Sequence, residues 1–96
     1  MLTIDEIKTA VMKVGQKYHI KSAYLFGSYA KNQATEDSDV DIYVDSELSG
    51  LHFVGFIESL RLALGKNVDV LDSTHINNNS KIQHEIFQTG VLLYER

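Results

Sequence analysis

The stretch from Tyr24 to Asp45 places the strongest constraint on this chain. It contains an apolar run that ends at a Gly-Ser pair, a polar connector, and a strand pattern that opens with Asp39-Val40-Asp41. Because successive strand side chains point to opposite faces, both aspartates are predicted on one face and Val40 on the other. Neighbouring carboxylates repel each other, and a divalent cation with a preference for oxygen ligands, such as Mg²⁺, relieves that repulsion. The pattern therefore predicts a metal site.

The Gly27-Ser28 pair predicts a phosphate site beside the metal. Gly27 follows the apolar run, and glycine allows both a sharp turn and a close approach of a ligand to the backbone. Ser28 to Lys31 are expected to open a short helix whose free N–H groups can hold phosphate. Tyr29 lies inside this turn and is expected near a bound nucleotide. The residues thus indicate a combined nucleotide and metal site.

These residues carry a resemblance to a known family. Gly27-Ser28, ten intervening residues and then Asp39-x-Asp41 before an apolar strand resemble the signature of the nucleotidyltransferase superfamily related to DNA polymerase beta. In its small size the chain resembles the minimal branch of this superfamily, the MNT-type antitoxins that accompany HEPN-domain toxins. The resemblance implies an α/β (α+β) fold, in which a small mixed β-sheet is flanked by about four helices.

The resemblance also implies a site. Asp39 and Asp41 would ligate both of two Mg²⁺ ions, while Asp69, in the predicted third strand, would complete the ligands of the catalytic ion and receive the proton of the attacking hydroxyl. ATP would be the nucleotide substrate. The implied nucleotide-binding residues are Gly27, Ser28, Lys31 and Ser38.

The implied reaction is transfer of AMP from ATP to a tyrosine hydroxyl of a HEPN-type toxin. So small a chain has little surface beyond its core, so we expect another macromolecule to hold the acceptor. Two alternatives stay open: a non-catalytic antitoxin that neutralises its toxin by binding, and a small-molecule nucleotidyltransferase with a separate acceptor-binding subunit.

The sequence departs from the family pattern after the Gly-Ser turn. Lys31-Asn32 stands where Arg-Gly is common. Asparagine tolerates a left-handed backbone, so Asn32 is expected to preserve the turn. Lys31 keeps the positive charge but lacks the bidentate guanidinium fork. The departure therefore bears on nucleotide affinity and leaves the implied metal ligands unchanged.

Composition excludes several classes of protein. The 96 residues are expected to form one domain, 1–96, and the net charge of −4 argues against direct DNA or RNA binding, which needs a basic surface. The absence of cysteine excludes disulfides and thiolate zinc sites. The sequence contains neither an apolar run long enough to span a bilayer nor a secretory N-terminal pattern. We therefore expect a cytoplasmic protein without a membrane partner.

Local signals predict the other elements. Thr3 and Glu6 fit a capping box at the start of a first helix. Strands are predicted over 22–26, 40–45 and 67–71, with a helix from Leu51 that ends at Gly65. Ser80 is expected to cap a last helix, which ends at Gly90 before residues 91–94 extend again.

Other interpretations of the acidic residues are weaker. Asp69 in a Val-Asp-Val pattern is also typical of an ordinary half-exposed strand. Asp72 has the opposite strand parity and lies past the predicted strand, so it is the weaker ligand candidate. An EF-hand over residues 37–48 lacks its required glycine and final glutamate. The four histidines show no metal-ligand spacing.

Overall fold

Helices and strands alternate along the chain in the computed structural model, which describes residues 1–75 and 81–96. Strands β1 to β4 span Ser22–Phe26, Val40–Asp45, Val68–Asp72 and Val91–Glu95, and helices α1 to α4 span Ile4–Tyr18, Gly27–Ala30, Gly50–Leu64 and Lys81–Thr89. A 3-10 turn at Ser73–His75 follows β3. The predicted cap at Ser80 lies outside the described residues. The prediction of a mixed sheet flanked by about four helices is confirmed.

Helix α1 begins at the predicted capping box. The Glu6 N–H donates to the Thr3 hydroxyl at 3.1 Å, and the Thr3 N–H donates to the Glu6 carboxylate at 2.9 Å. The helix ends at His19, whose φ of 56° is left-handed. Both signals act locally, which is why the sequence alone predicted where the helix begins.

The four strands form one sheet in the order β3-β2-β1-β4. Strand β1 runs antiparallel to both of its neighbours, whereas β2 and β3 are parallel. In this register Asp41 pairs with Phe26 on one side and with Asp69 on the other. The parallel pairing therefore places an acidic residue of β3 directly beside one of β2.

The two faces of the sheet have different roles. One face packs against α1 and α3 in a single core cluster that includes Leu25, Ile42, Phe56 and Leu60. Along β2, buried residues alternate with half-buried ones, and Asp41 belongs to the half-buried set on the other face. The acidic face is therefore the one that the main helical layer leaves accessible.

Within the described ranges no helix is long and apolar enough to cross a membrane.

Asp72 ends β3 on the core side and is only 3% exposed. Its Oδ1 accepts from the N–H and hydroxyl of Ser46 at 3.0 and 2.6 Å, and its Oδ2 accepts from the N–H and hydroxyl of Thr74 at 3.1 and 2.7 Å. Burial alone raises the pKa of Asp72, but these hydrogen bonds outweigh it and leave the pKa lowered. The predicted strand end at Leu71 is therefore one residue short, because Asp72 joins two turns across the sheet edge.

Replacing Asp72 by alanine is expected to lower the free energy of unfolding by about 3 kcal/mol, because it leaves the buried donors of Ser46, and the part-buried donors of Thr74, without their acceptor. Urea unfolding at pH 7 measures the loss. The lowered pKa means that the contribution is present above the ordinary aspartate pKa and is lost as the pH falls through the folded value. The exposed Asp37→Ala is the matched control, and equal losses for the two variants would contradict this role.

Candidate active site

The centre of the candidate site is a pair of carboxyl groups on adjacent strands. Asp41 of β2 and Asp69 of β3 are register partners on adjacent parallel strands, and they lie close enough for the charge of Asp69 to raise the pKa of Asp41. The structure thus brings together two of the three acids that the sequence singled out.

The pKa of Asp41 is raised to about 6. Burial is the largest cause, followed by the charge of Asp69 and the hydrogen bond to it, and then by the charges of Asp39 and Glu85. Four acidic groups therefore influence one another here. Such a concentration of negative charge is typical of functional sites.

Asp39 lies just before β2, which begins at Val40, and its side chain is exposed. It is near enough for its charge to raise the pKa of Asp41. Among the residues that the structure describes, however, no three acidic or histidine side chains are already gathered into a cluster that could hold a metal ion. Asp41 and Asp69 are therefore paired in the structure, and Asp39 lies near this pair without completing a cluster.

The residues present fit a divalent cation. Their donors are carboxylate oxygens, which suit Mg²⁺, and a cation would remove the repulsion that raises the pKa of Asp41. Asp41, Asp69 and the neighbouring Asp39 are the residues that would hold it. Asp39 is exposed and precedes its strand, so it can turn inward without disturbing the core.

Gly27 places the backbone directly against Asp41. Its φ is +72°, and a Cβ built on it would lie 2.1 Å from the Asp41 Oδ2, far inside contact distance. Only glycine satisfies both the left-handed backbone and this close approach. The turn predicted from the Gly-Ser pair therefore adjoins the acidic pair, as the sequence indicated.

Glu85 of α4 also reaches this turn, although nothing in the sequence pattern singled it out. Its Oε2 accepts from the Gly27 N–H at 2.9 Å, and its Oε1 lies 3.6 Å from the Lys31 Nζ. Glu85 is 58 residues from Gly27 along the chain. A lone acid on an amphipathic helix gives no local signal of such a contact, which tertiary packing alone creates.

The other residues that the sequence singled out near the site lie in different environments. Asn32 has a φ of 59°, so the expected left-handed backbone is confirmed. Ser38 is half-buried, and its hydroxyl accepts from the Thr35 N–H at 2.9 Å. Tyr29 is 4% exposed and packs in the core, and its expected position near a nucleotide stays a prediction.

Comparison with known proteins identifies the family. A family model described as "Polymerase beta, Nucleotidyltransferase" matches residues 9–96. The chain belongs to this nucleotidyltransferase family. A protein of Methanocaldococcus jannaschii, named as a candidate protein adenylyltransferase, is 37% identical over 86 residues, which are 81% of this chain and 86% of the relative. Protein adenylyltransferase MntA of Thermococcus cleftensis is 38% identical over 77 residues, covering 74% and 78% of the two chains. The predicted enzyme class, nucleotidyltransferase, is thereby confirmed.

Solved structures confirm the fold of this nucleotidyltransferase. A structure described as a minimal nucleotidyltransferase has a TM-score of 0.73 at 21% identity and covers 94% of this chain and 95% of its own. A toxin-antitoxin structure with AMP-PNP has a TM-score of 0.73 at 23% identity, with coverages of 93% and 73%. A Shewanella oneidensis complex of a tri-AMPylated HEPN toxin with an MNT antitoxin has a TM-score of 0.68 at 21% identity, with coverages of 98% and 74%.

Replacing Asp41 by asparagine is expected to stabilise this nucleotidyltransferase above pH 6. The folded protein binds a proton at Asp41 more tightly than the unfolded chain does, since the pKa is about 6 rather than 3.8. The wild-type protein therefore loses stability as the pH rises through this window, whereas the asparagine variant does not. Thermal unfolding should show a gain of about 5 °C at pH 7.5 and little difference at pH 4. Asp37→Asn is the matched control, and a gain of the same size at both pH values would contradict the assignment.

Proposed function

We propose that this nucleotidyltransferase is an antitoxin that transfers AMP from ATP, with two Mg²⁺ ions, to a tyrosine hydroxyl of a partner HEPN-domain toxin. The observation that carries the proposal is the register pairing of Asp41 with Asp69 directly beside the Gly27 turn. The proposal is supported by the named adenylyltransferase relatives and by the neighbour whose HEPN toxin partner is AMPylated. The AMP-PNP neighbour supports a nucleotide substrate. A cytoplasmic reaction is part of the proposal, because ATP is its substrate.

The proposed step is a displacement at the α-phosphorus of ATP. The acceptor oxygen forms a bond to that phosphorus, the bond from phosphorus to the bridging β-phosphate oxygen breaks, and pyrophosphate leaves. Bound Mg²⁺ would neutralise the phosphate charge and lower the pKa of the attacking hydroxyl. Asp69 would take the hydroxyl proton, and Asp39 and Asp41 would hold the ions. The chain therefore contributes chiefly positioning and charge.

The nucleotide is proposed to bind along the Gly27 turn. The Gly27 N–H and the Ser28 hydroxyl would donate to the outgoing phosphates, and the Lys31 ammonium would balance their charge. Ser38 precedes Asp39 and would contact the nucleotide from the other side of the acidic pair. The exposed position of Lys31 suits a contact that forms only when the nucleotide is present.

Transfer of label tests the proposal directly. The purified protein is incubated with Mg²⁺, the co-encoded toxin and ATP labelled at the α-phosphate, and the toxin is expected to become labelled. ATP labelled at the γ-phosphate is the matched control and should leave the toxin unlabelled, because pyrophosphate departs. Mass spectrometry then identifies the modified residue. Absence of label with Mg²⁺, Mn²⁺ and other divalent ions would reject the reaction.

A second candidate is an antitoxin that acts by binding alone. A family fold can persist as a scaffold without turnover. This candidate requires that the protein neutralise its toxin without AMP transfer. Variants of the acidic residues would then still neutralise the toxin in a growth assay, whereas variants of an enzyme would not.

A further inference from the structure

The Glu85 side chain holds the groups to which a nucleotide phosphate is proposed to bind. Its Oε2 accepts the Gly27 N–H at 2.9 Å, and its Oε1 lies 3.6 Å from the Lys31 Nζ. A carboxylate and a phosphate offer the same acceptor, an anionic oxygen, to these two donors. One N–H cannot make a full hydrogen bond to both at once. Glu85 and the phosphate therefore compete for the same position.

The charge around the turn reinforces this competition. Glu85 is close enough to raise the pKa of Asp41, so its carboxylate belongs to the same negative cluster as the acidic pair. A triphosphate that arrived while Glu85 stayed in place would add charge to a cluster balanced only weakly by Lys31. If Glu85 leaves, Lys31 exchanges one anionic partner for another, and the balance is kept.

Helix α4 is held in a way that permits such an exchange. None of its residues is buried in the described part of the chain, and Phe87, on the turn after Glu85, is 90% exposed. Moving Glu85 away therefore disrupts little of the core, which lies on the other face of the sheet. Elements with few buried contacts are those that open at low free-energy cost.

We propose that Glu85 is an internal anion that occupies the phosphate position of the empty enzyme and must leave before the nucleotide binds. The inference rests on the proposed nucleotide site and adds a regulatory residue to it. Glu85 thereby lowers the apparent affinity for nucleotide by the fraction of molecules in which the turn is blocked. It also couples nucleotide binding to the position of α4.

Isothermal titration with AMP-PNP and Mg²⁺ tests the inference. Glu85→Gln keeps the shape and one acceptor oxygen but loses the attraction to Lys31, and Glu85→Ala removes both contacts. AMP-PNP should bind about fivefold more tightly to the glutamine variant and more tightly still to the alanine variant. Glu58→Gln, which makes the same change of charge at an exposed acid of α3 paired with Arg61, should bind like the wild type. Circular dichroism checks that each variant is folded.

Hydrogen exchange gives a second measurement that does not depend on activity. On addition of AMP-PNP and Mg²⁺ to the wild-type protein, amides of residues 81–89 should exchange faster, because α4 loses its contact with the turn. The same addition should leave these amides unchanged in Glu85→Ala. Equal or weaker AMP-PNP binding by both Glu85 variants would overturn the inference while leaving the nucleotide site standing. No binding by any of the proteins would reject the proposed site itself, and the inference with it.

Discussion

Replacing Asp39 and Asp41 together by asparagine is expected to reduce AMP transfer to the toxin at least about 100-fold. Both carboxylates are proposed Mg²⁺ ligands, and the two asparagines remove two of the three negative charges that would hold the ions. The fold should survive, because Asp39 is exposed and the replacement of Asp41 removes a part-buried carboxylate that neighbouring acids repel. Label transfer from α-labelled ATP measures the loss, and thermal unfolding shows that the variant is folded.

The same variant separates the two candidate functions in cells. An enzyme that neutralises its toxin by AMP transfer should lose neutralisation, so co-expression with the toxin should stop growth. An antitoxin that acts by binding alone should still protect the cells. In vitro, Mg²⁺ should raise the melting temperature of the wild-type protein and not that of the variant. Retained label transfer in a folded double variant would contradict the proposed roles of both aspartates.

Gly27→Ala is expected to reduce both stability and AMP transfer. The new methyl group would meet the Asp41 Oδ2 at 2.1 Å, and the φ of +72° is one that alanine adopts only with strain. To relieve the clash, the Asp41 carboxylate or the turn must move, which displaces a proposed ligand relative to the phosphate site. Transfer should fall at least about 100-fold, as expected for a misplacement of about 1 Å. The melting temperature should fall by about 10 °C.

Gly65→Ala provides the matched control for this variant. Gly65 ends α3 with a φ of +67°, and a Cβ there would meet nothing within 4 Å. It therefore carries the same backbone strain without the clash, so the melting temperature should fall by only a few degrees and transfer should be unchanged. If the two alanine variants transferred AMP equally well, contact between Gly27 and Asp41 would have no part in the reaction.

Local signals in the sequence were sufficient to predict most elements of the fold. The bounds of β1 and β2 match the prediction, because strand alternation and the flanking turns act over a few residues. The same holds for the left-handed backbone at Asn32 and for the end of α3 at Gly65. The ligand pattern of the turn and strand could likewise be predicted, since Gly27 and Asp41 come together across one antiparallel register.

Contacts between distant segments could not be predicted in this way. The candidate role of Asp69 depended on its strand lying next to β2, and strand order is set by the packing of the whole sheet. The same packing buries Tyr29 and turns Asp72 into a structural anchor across the edge of the sheet. No residue near these positions indicates which distant partner each will meet.

The sequence by itself determined the family signature, the turn at Gly27 and the strand that carries Asp41, because backbone preference and side-chain alternation act between near neighbours. The tertiary structure alone decided that Asp69 lies beside Asp41 and that Glu85 occupies the turn. The physical reason is that both contacts join segments whose approach depends on burying the common core. Their geometry follows from how helices and strands pack, which no short stretch of the chain encodes.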